Sequence, residues 1–470
     1  MPDKMKRPVT YTLAFIALWA IWYLLCPYYL QRMEGFNFYT DLPDFRNLNM
    51  DIKDSVFIGI SSYLMQFYAY PALGATINAF ISILMVLAAD LTVRQIFKEP
   101  KCLLWISFPT LLLITNQLFK EVSLVPALKC LSIAFAVCVV SYLTSFWKKG
   151  FIPMPKLLRS IWLEGAMVVV ILTGAGYMVH DKLVKSGSEE ISHLDYLVEQ
   201  RDWNKILEKV PAEYARQNGT IRKYALLALS EKGILVDNAI AYGLNGSDDF
   251  MFHGTAQPML RNFNMMFYNC LGMHNVSIYY AYQQASQFYV SLNFNAARSL
   301  ADTYLQIKDH TLAEKYLEIL SHSTCHKKWV SERMDKLEAI KGETPERMTD
   351  DKKHIWGKMV PDMYLMIEKH SDDRRYRDYL LCGLLVDRQA QLFYKAFQEL
   401  YSEDEQIPFL YQEALLTIIG RQPEEMSRYE FSPEVLMAFR DFEQMIMSGR
   451  GTNAKRKYAA TYWAYLFFTK

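Results

Sequence analysis

Charge of either sign is scarce over the first 180 residues of this 470-residue chain: 15 Lys and Arg stand against 10 Asp and Glu, about 14% of positions. The remaining 290 residues hold 36 basic and 40 acidic side chains, about 26%, an ordinary density for a soluble domain. The whole chain carries a net charge of only +1, which argues against a nucleic-acid binder held by phosphate neutralisation. With 20 Gly and 17 Pro it has too few of either for a collagen-like or mucin-like chain, and at 51% hydrophobic it is too apolar for a disordered one. Seven cysteines without a CxxC spacing give no disulfide framework. No Ser–His–Asp grouping, phosphate loop or dinucleotide fingerprint is supported by spacing. A mean hydropathy of −0.02 is therefore the average of two unlike blocks, and the length calls for two or more domains.

Long apolar runs fill the charge-poor block. A bilayer core of about 30 Å needs roughly 20 helical residues. Five segments qualify: 9–30, 72–91, 102–118, 124–147 and 160–180. The first follows Lys4, Lys6 and Arg7, is too long for a signal-peptide core and reads as a retained anchor. Pro109 lies inside the third, where neighbouring helices must accommodate it. A sixth segment, 55–70, would be about 24 Å long as a helix, short of the core thickness. Ser55, Gly59, Ser62 and Gln66 form a weakly polar stripe opposite Phe57, Ile60, Leu64 and Phe67, a pattern for an interfacial or re-entrant helix.

Basic loops set the topology. If 55–70 does not cross, Arg94, Lys98, Lys101, Lys148, Lys149, Lys156 and Arg159 all fall on the side of the N-terminus, as cytoplasmic loops require. Five crossings then leave everything after His180 outside the cytoplasm. The expected division is a membrane domain over 1–184 and a helical domain over 185–470, with a polar hinge at 342–353.

From Ser192 onward the periodicity is helical, and no alternating run is long enough for a sheet. Leu300, Ala301, Tyr304, Ala313, Leu317 and Leu320 are spaced as a 34-residue helix–turn–helix repeat needs, with echoes at 197–210, 224–233 and 380–397. This looks like a tetratricopeptide unit, and a stack of imperfect α-hairpins is the most economical reading. Through Gln66–Pro71 (QFYAYP) with Gly74, and Leu227–Gly233 (LALSEKG), the chain resembles an uncharacterised group of Gram-negative multi-pass membrane proteins with a tetratricopeptide-like tail. That resemblance implies an architecture and no assigned activity. The expected fold is all-α.

Candidates for chemistry are few. The first outside loop carries Glu34, Asp41, Asp44, Asp51 and Asp54, and carboxylates above a membrane match the plan of transferases that use lipid-linked sugars. Asp41 and Asp44 are the catalytic pair of that reading; Arg32, Arg46 and Lys53 make a solvated loop of mixed charge the plainer one. His322, Cys325 and His326 would share a face if helical and offer soft ligands for zinc or copper, with His310 as a possible fourth. A hairpin-packing cluster is the alternative. Lys129 and Glu164 lie in expected spans at different depths and suggest a weak transport reading; Asp90 and Arg94 read as a helix-end pair. The aromatic segment 250–294 fits a repeat core better than a sugar or peptide groove. The basic–aromatic end, 455–468, is either a last packed helix or a surface dip into lipid.

The preferred reading is a non-catalytic scaffold of the cell envelope, needing no cofactor and no nucleic acid. Its place would be a bacterial inner membrane, with a cytoplasmic N-terminus and a periplasmic C-terminal domain. Its partners would be the bilayer and an envelope protein or polysaccharide. The alternative is a polytopic glycosyltransferase-like enzyme acting through Asp41 and Asp44.

Overall fold

The computed structural model describes residues 3–43, 54–96, 107–119, 122–145, 161–253, 260–286, 292–346, 358–402, 405–420 and 422–469. Among the described residues every regular element is a helix. Four stretches are long and apolar enough to cross a membrane: Pro8–Leu25, Pro71–Ile96, Val125–Thr144 and Gly165–Val184. They correspond to the expected spans 9–30, 72–91, 124–147 and 160–180. Residues 102–106 of the remaining span lie outside the described residues; its later part forms the helix Thr110–Gln117. Pro109 immediately precedes that helix, where its missing N–H leaves no bond unmade.

The first span ends sooner than its hydropathy suggests. It stops at Leu25, and Pro27 opens a new helix, Pro27–Gly35. A residue before proline is pushed out of the helical region, and Cys26 sits at φ −142°. The new N-terminus is held by a carboxylate from far along the chain. Glu189 accepts the backbone N–H groups of Tyr28 at 3.1 Å and Tyr29 at 2.7 Å, satisfying two orphan donors at the positive end of the helix.

Segment 55–70 is the helix Ser55–Met65 followed by one tighter turn, Gln66–Ala69. Eleven residues rise about 16 Å, too little to cross. Its polar side turns inward: Ser62 and Gln66 are buried, and Ser61 Oγ accepts the Leu124 N–H at 2.9 Å. Val56, Ile60 and Tyr63 are exposed. Three of the long apolar helices and Thr110–Gln117 meet through Ala14, Leu18, Ala79, Val86, Leu111 and Ile171. Gly174 and Gly176 face Leu112 and Ile21, where an added Cβ would make ordinary contact at 3.4 Å.

By packing, the chain divides into two compact units: residues 1–196 with 281–345, and residues 197–280 with 346–470. The division expected at 184/185 follows composition. Packing instead returns 281–345 to the unit that carries the apolar helices. One of the packing boundaries, at Pro345 and Glu346, falls within the polar segment 342–353, of which 347–353 lie outside the described residues.

In the first unit Phe294–Gln306 and His310–Ser321 form the hairpin read from the sequence, and Leu300, Ala301, Tyr304, Ala313, Leu317 and Leu320 are all buried. In the second unit Phe263, Phe267 and Tyr268 are core, packed edge-on with Tyr224 and Tyr379; Phe288 and Tyr289 lie outside the described residues. The C-terminal stretch is a packed helix, Tyr462–Phe468. Tyr462 and Tyr465 donate to the carbonyls of Leu385 and Val386 at 3.2 and 2.7 Å, and Trp463 is buried.

One turn recurs. Arg201, Gly233, Gly272, Lys308 and Arg388 all have positive φ, between 53° and 69°. At each, the residue's own N–H reaches back three residues and the next N–H reaches back five, as with Lys308 to Leu305 and Asp309 to Tyr304. That is a Schellman end, which satisfies the last carbonyls of one helix. At two of these turns the following residue is an aspartate that caps the next helix: Asp202 accepts from Lys205 N and Asp309 from Leu312 N.

The left-handed region costs a side-chain-bearing residue about 1 kcal/mol, and Arg201 is exposed there with no ion pair among the described residues. Arg201→Gly is expected to leave the thermal midpoint unchanged or raise it. Arg201→Val should lower stability by about 1–2 kcal/mol, since a β-branched residue is an outlier at this φ. Thermal unfolding of the detergent-solubilised chain reads both.

Candidate functional site

Several of the residues singled out for chemistry converge in the first unit, at the segment Glu34–Asp41 and the turn 322–326. Pro27–Gly35 ends at Gly35, whose Cα faces the side-chain amide of Asn295; an added Cβ would overlap it. Asn293 starts the opposing helix by accepting the Ala296 N–H at 2.8 Å, and the Phe294 N–H donates to the Asn37 carbonyl at 3.0 Å. These backbone contacts bring Glu34 against His326. Glu34 Oε1 lies 2.6 Å from His326 Nε2, with side-chain exposures of 1% and 4%. Arg298 approaches the other carboxylate oxygen at 3.7 Å and donates to Asn295 Oδ1 at 2.7 Å. The His326 ring packs on Phe294 with centroids 4.2 Å apart.

A second pair stands beside the first. His322 Nδ1 lies 2.6 Å from Asp41 Oδ1, at exposures of 39% and 68%. Gln66 Oε1 accepts the Thr324 N–H at 3.2 Å, so the same turn is gripped by the tight turn after Ser55–Met65. Arg32 pairs with Asp195 at 3.1 Å, both buried. Helix Pro27–Gly35 and its exit are thus tied by ions to residues 160 to nearly 300 positions away.

The arrangement corrects the expected metal geometry. His322, Cys325 and His326 do not share a helical face: they occupy the turn between His310–Ser321 and Lys327–Ala339. The two histidines address different carboxylates, and His310 is 3.8 Å from Glu314. Among the described residues no group of three or more His, Cys, Asp or Glu side chains could hold a metal. Burial, with the negative charge of Glu34, pushes the Cys325 thiol up to about 11. Its thiolate fraction near neutral pH is then on the order of 10⁻⁴, which leaves it a poor nucleophile. Asp44 lies outside the described residues; Asp41 is engaged by His322.

The residues of the transport reading also find other roles. Lys129 Nζ is 2.6 Å from Asp54, which stands at the N-terminus of Ser55–Met65. The side chain of Glu164 lies outside the described residues. Asp90 is buried, bound by the Tyr11 hydroxyl at 2.6 Å and by Arg94. A buried charge survives in such surroundings only when paired, and Asp90 is. Glu34 was visible only as one of five loop acids, and nothing in the sequence marked Arg298 or Asn295. The cluster's chemistry is that of a clamp: buried ions fasten a loop to a helical hairpin, with little surface for a substrate to reach.

These features define an all-helical protein with several apolar helices of membrane-spanning length and a clamp joining an early loop to a later hairpin. The chain belongs to a family of unknown function (DUF6057), which matches residues 4–185 and 176–469. No curated protein and no solved structure matches it.

Two ion pairs of equal length and unequal burial give a direct test of the clamp. Removing either partner of Glu34–His326 strands a buried charged or polar group and should cost about 3–5 kcal/mol. The double-mutant cycle of Glu34→Ala and His326→Ala should show coupling above about 1 kcal/mol. The cycle of Asp41→Ala and His322→Ala should stay within about 0.5 kcal/mol, because solvent screens both groups. Equal coupling in the two cycles would remove the distinction between clamp and surface contact. Gly35→Ala should destabilise as strongly as loss of Glu34, since the overlapping group is held by Arg298.

Proposed function

We propose that this chain is a membrane-anchored, non-catalytic scaffold of the cell envelope. Its tetratricopeptide-like hairpins would bind a protein partner or an envelope polymer outside the cytoplasm. The anchor is the set of apolar helices, placed in a Gram-negative inner membrane with a cytoplasmic N-terminus and a periplasmic C-terminal region. The observation that carries this reading is the helical hairpin Phe294–Gln306 and His310–Ser321, whose Leu300, Ala301, Tyr304, Ala313, Leu317 and Leu320 are buried at the spacing a 34-residue repeat unit needs. Repeat hairpins of this kind build extended binding surfaces, and catalysis is not what they are built for.

A groove of about 760 Å³ in the second unit is the natural place for a partner. Phe397, Tyr401, Tyr429 and Phe431 supply its apolar faces, while Gln398 and Gln406 supply amide groups. Phe397 and Tyr401 stack at 4.5 Å, and the Arg377 guanidinium lies 4.1 Å over the Tyr401 ring while gripping Glu405 through both nitrogens. The aromatic wall is therefore rigid before any partner arrives, which lowers the entropic cost of binding. Aromatic faces flanked by amides suit an extended peptide or a sugar chain.

A photo-crosslinking residue at Gln398, in the full chain expressed in cells, should trap one discrete partner. Tyr429→Ala with Phe431→Ala should reduce that adduct at least fivefold without lowering chain abundance. Asp41→Asn should complement loss of the gene as well as the natural sequence does. Failure to complement, with normal abundance and an unchanged adduct, would favour the transferase reading instead.

A further inference from the structure

A second concavity in the C-terminal unit, separate from the aromatic groove, has a different chemistry. It encloses about 680 Å³ between the turn 240–245 and the helices Gly451–Lys457 and Tyr462–Phe468. Ile240, Leu244, Ala464 and Tyr465 contribute its apolar surface, and Phe468 stands at one side. Three cations line it: Arg216, Arg222 and Lys455.

The carboxylates nearby are already spent. Asp249 lies 3.0 Å from Arg222 and accepts the Asn245 N–H at 3.0 Å. Asp387 accepts both the N–H and the hydroxyl of Ser247, at 2.9 and 2.6 Å. Arg222 also donates to the Gly243 carbonyl, and its Nε is buried with no acceptor. Arg388 donates to the Thr469 carbonyl with its guanidinium 5.8 Å from the Tyr465 ring. Lys457, two residues from the groove's lysine, is neutralised by Asp441 at 3.0 Å. Lys455 has no such partner among the described residues; its ammonium lies 5.8 Å over the Phe468 ring. Arg216 likewise has no ion pair among them, and its stem packs against Gly243, which has φ +85°.

Two cations without counter-ions among the described residues and an apolar floor fit a ligand with an anionic head and an apolar body. A phosphomonoester carries about −1.5 to −2 charges at neutral pH with three strong acceptor oxygens, matching the two unspent cations. A volume of this size suits a small molecule. We propose that this groove is a binding site for a phosphate group carried on an apolar or aryl body, whether a lipid headgroup or a soluble phosphate ester.

The proposal does not depend on the scaffold reading. The full chain in neutral detergent is titrated calorimetrically with 1-naphthyl phosphate, inorganic phosphate and 1-naphthol. Naphthyl phosphate should bind at least tenfold more tightly than inorganic phosphate, and naphthol should not bind measurably. Arg216→Gln and Lys455→Gln should each weaken binding about tenfold with unchanged thermal midpoints, and Lys457→Gln should have no effect. In nanodiscs, phosphatidic acid that competes with naphthyl phosphate identifies a lipid head as the source; binding unaffected by lipid identifies a soluble ester. The proposal fails if naphthyl phosphate does not bind by about 1 mM, if naphthol binds equally well, or if the double variant binds as the natural chain does.

Discussion

A carboxylate almost wholly removed from water must find a positive or hydrogen-bonding partner, and Glu34 sets that demand for the first unit. His326 and Arg298 meet it, at 2.6 and 3.7 Å. Both belong to the region 281–345, which packs with residues 1–196. Neighbouring pairs follow the same rule. Arg32 is matched by Asp195, Lys129 by Asp54, and the N-terminus of Pro27–Gly35 by Glu189. Such pairs contribute little net stability compared with apolar packing, because desolvation offsets most of their attraction. What they supply is register: with one partner displaced, a charge is stranded.

Away from the clamp, the architecture rests on a repeated way of ending one helix and starting the next. At Arg201–Asp202 and Lys308–Asp309 a basic residue takes the left-handed conformation and the aspartate caps the following helix. Glycine performs the first part at 233 and 272 at lower conformational cost. The same hydrogen-bond pattern thus forms on different side chains. Backbone geometry recurs, while the residues that meet it vary.

The concavities of the second unit are lined by residues of its packed helices and turns. Aromatic residues fill the core at 263–268, whereas Tyr401, Tyr429 and Phe431 stay partly exposed along a groove. The difference lies in burial, which a count of aromatic residues does not contain. Charge behaves likewise: of the basic run Lys455–Lys457, one lysine is neutralised on the surface and another faces a concavity without an acidic partner.

The sequence by itself determined the helical class, the apolar helices of membrane length, the non-crossing length of 55–70 and the hairpin at 300–320. Each depends on periodicity or run length within a few turns of helix, and such local signals survive without knowledge of the fold. Tertiary structure alone decided what became of the polar residues. Pro27 ends the first span where a distant Glu189 can receive the new helix, and Asp41 and His322, considered separately for catalysis and for metal, form a pair across 281 residues. Glu34, one acid among five in its loop, is buried, whereas Asp41 stays exposed. The physical reason is the same in every case: a charge is defined by its partner and its distance from water, and neither is written at the position of the residue that bears it.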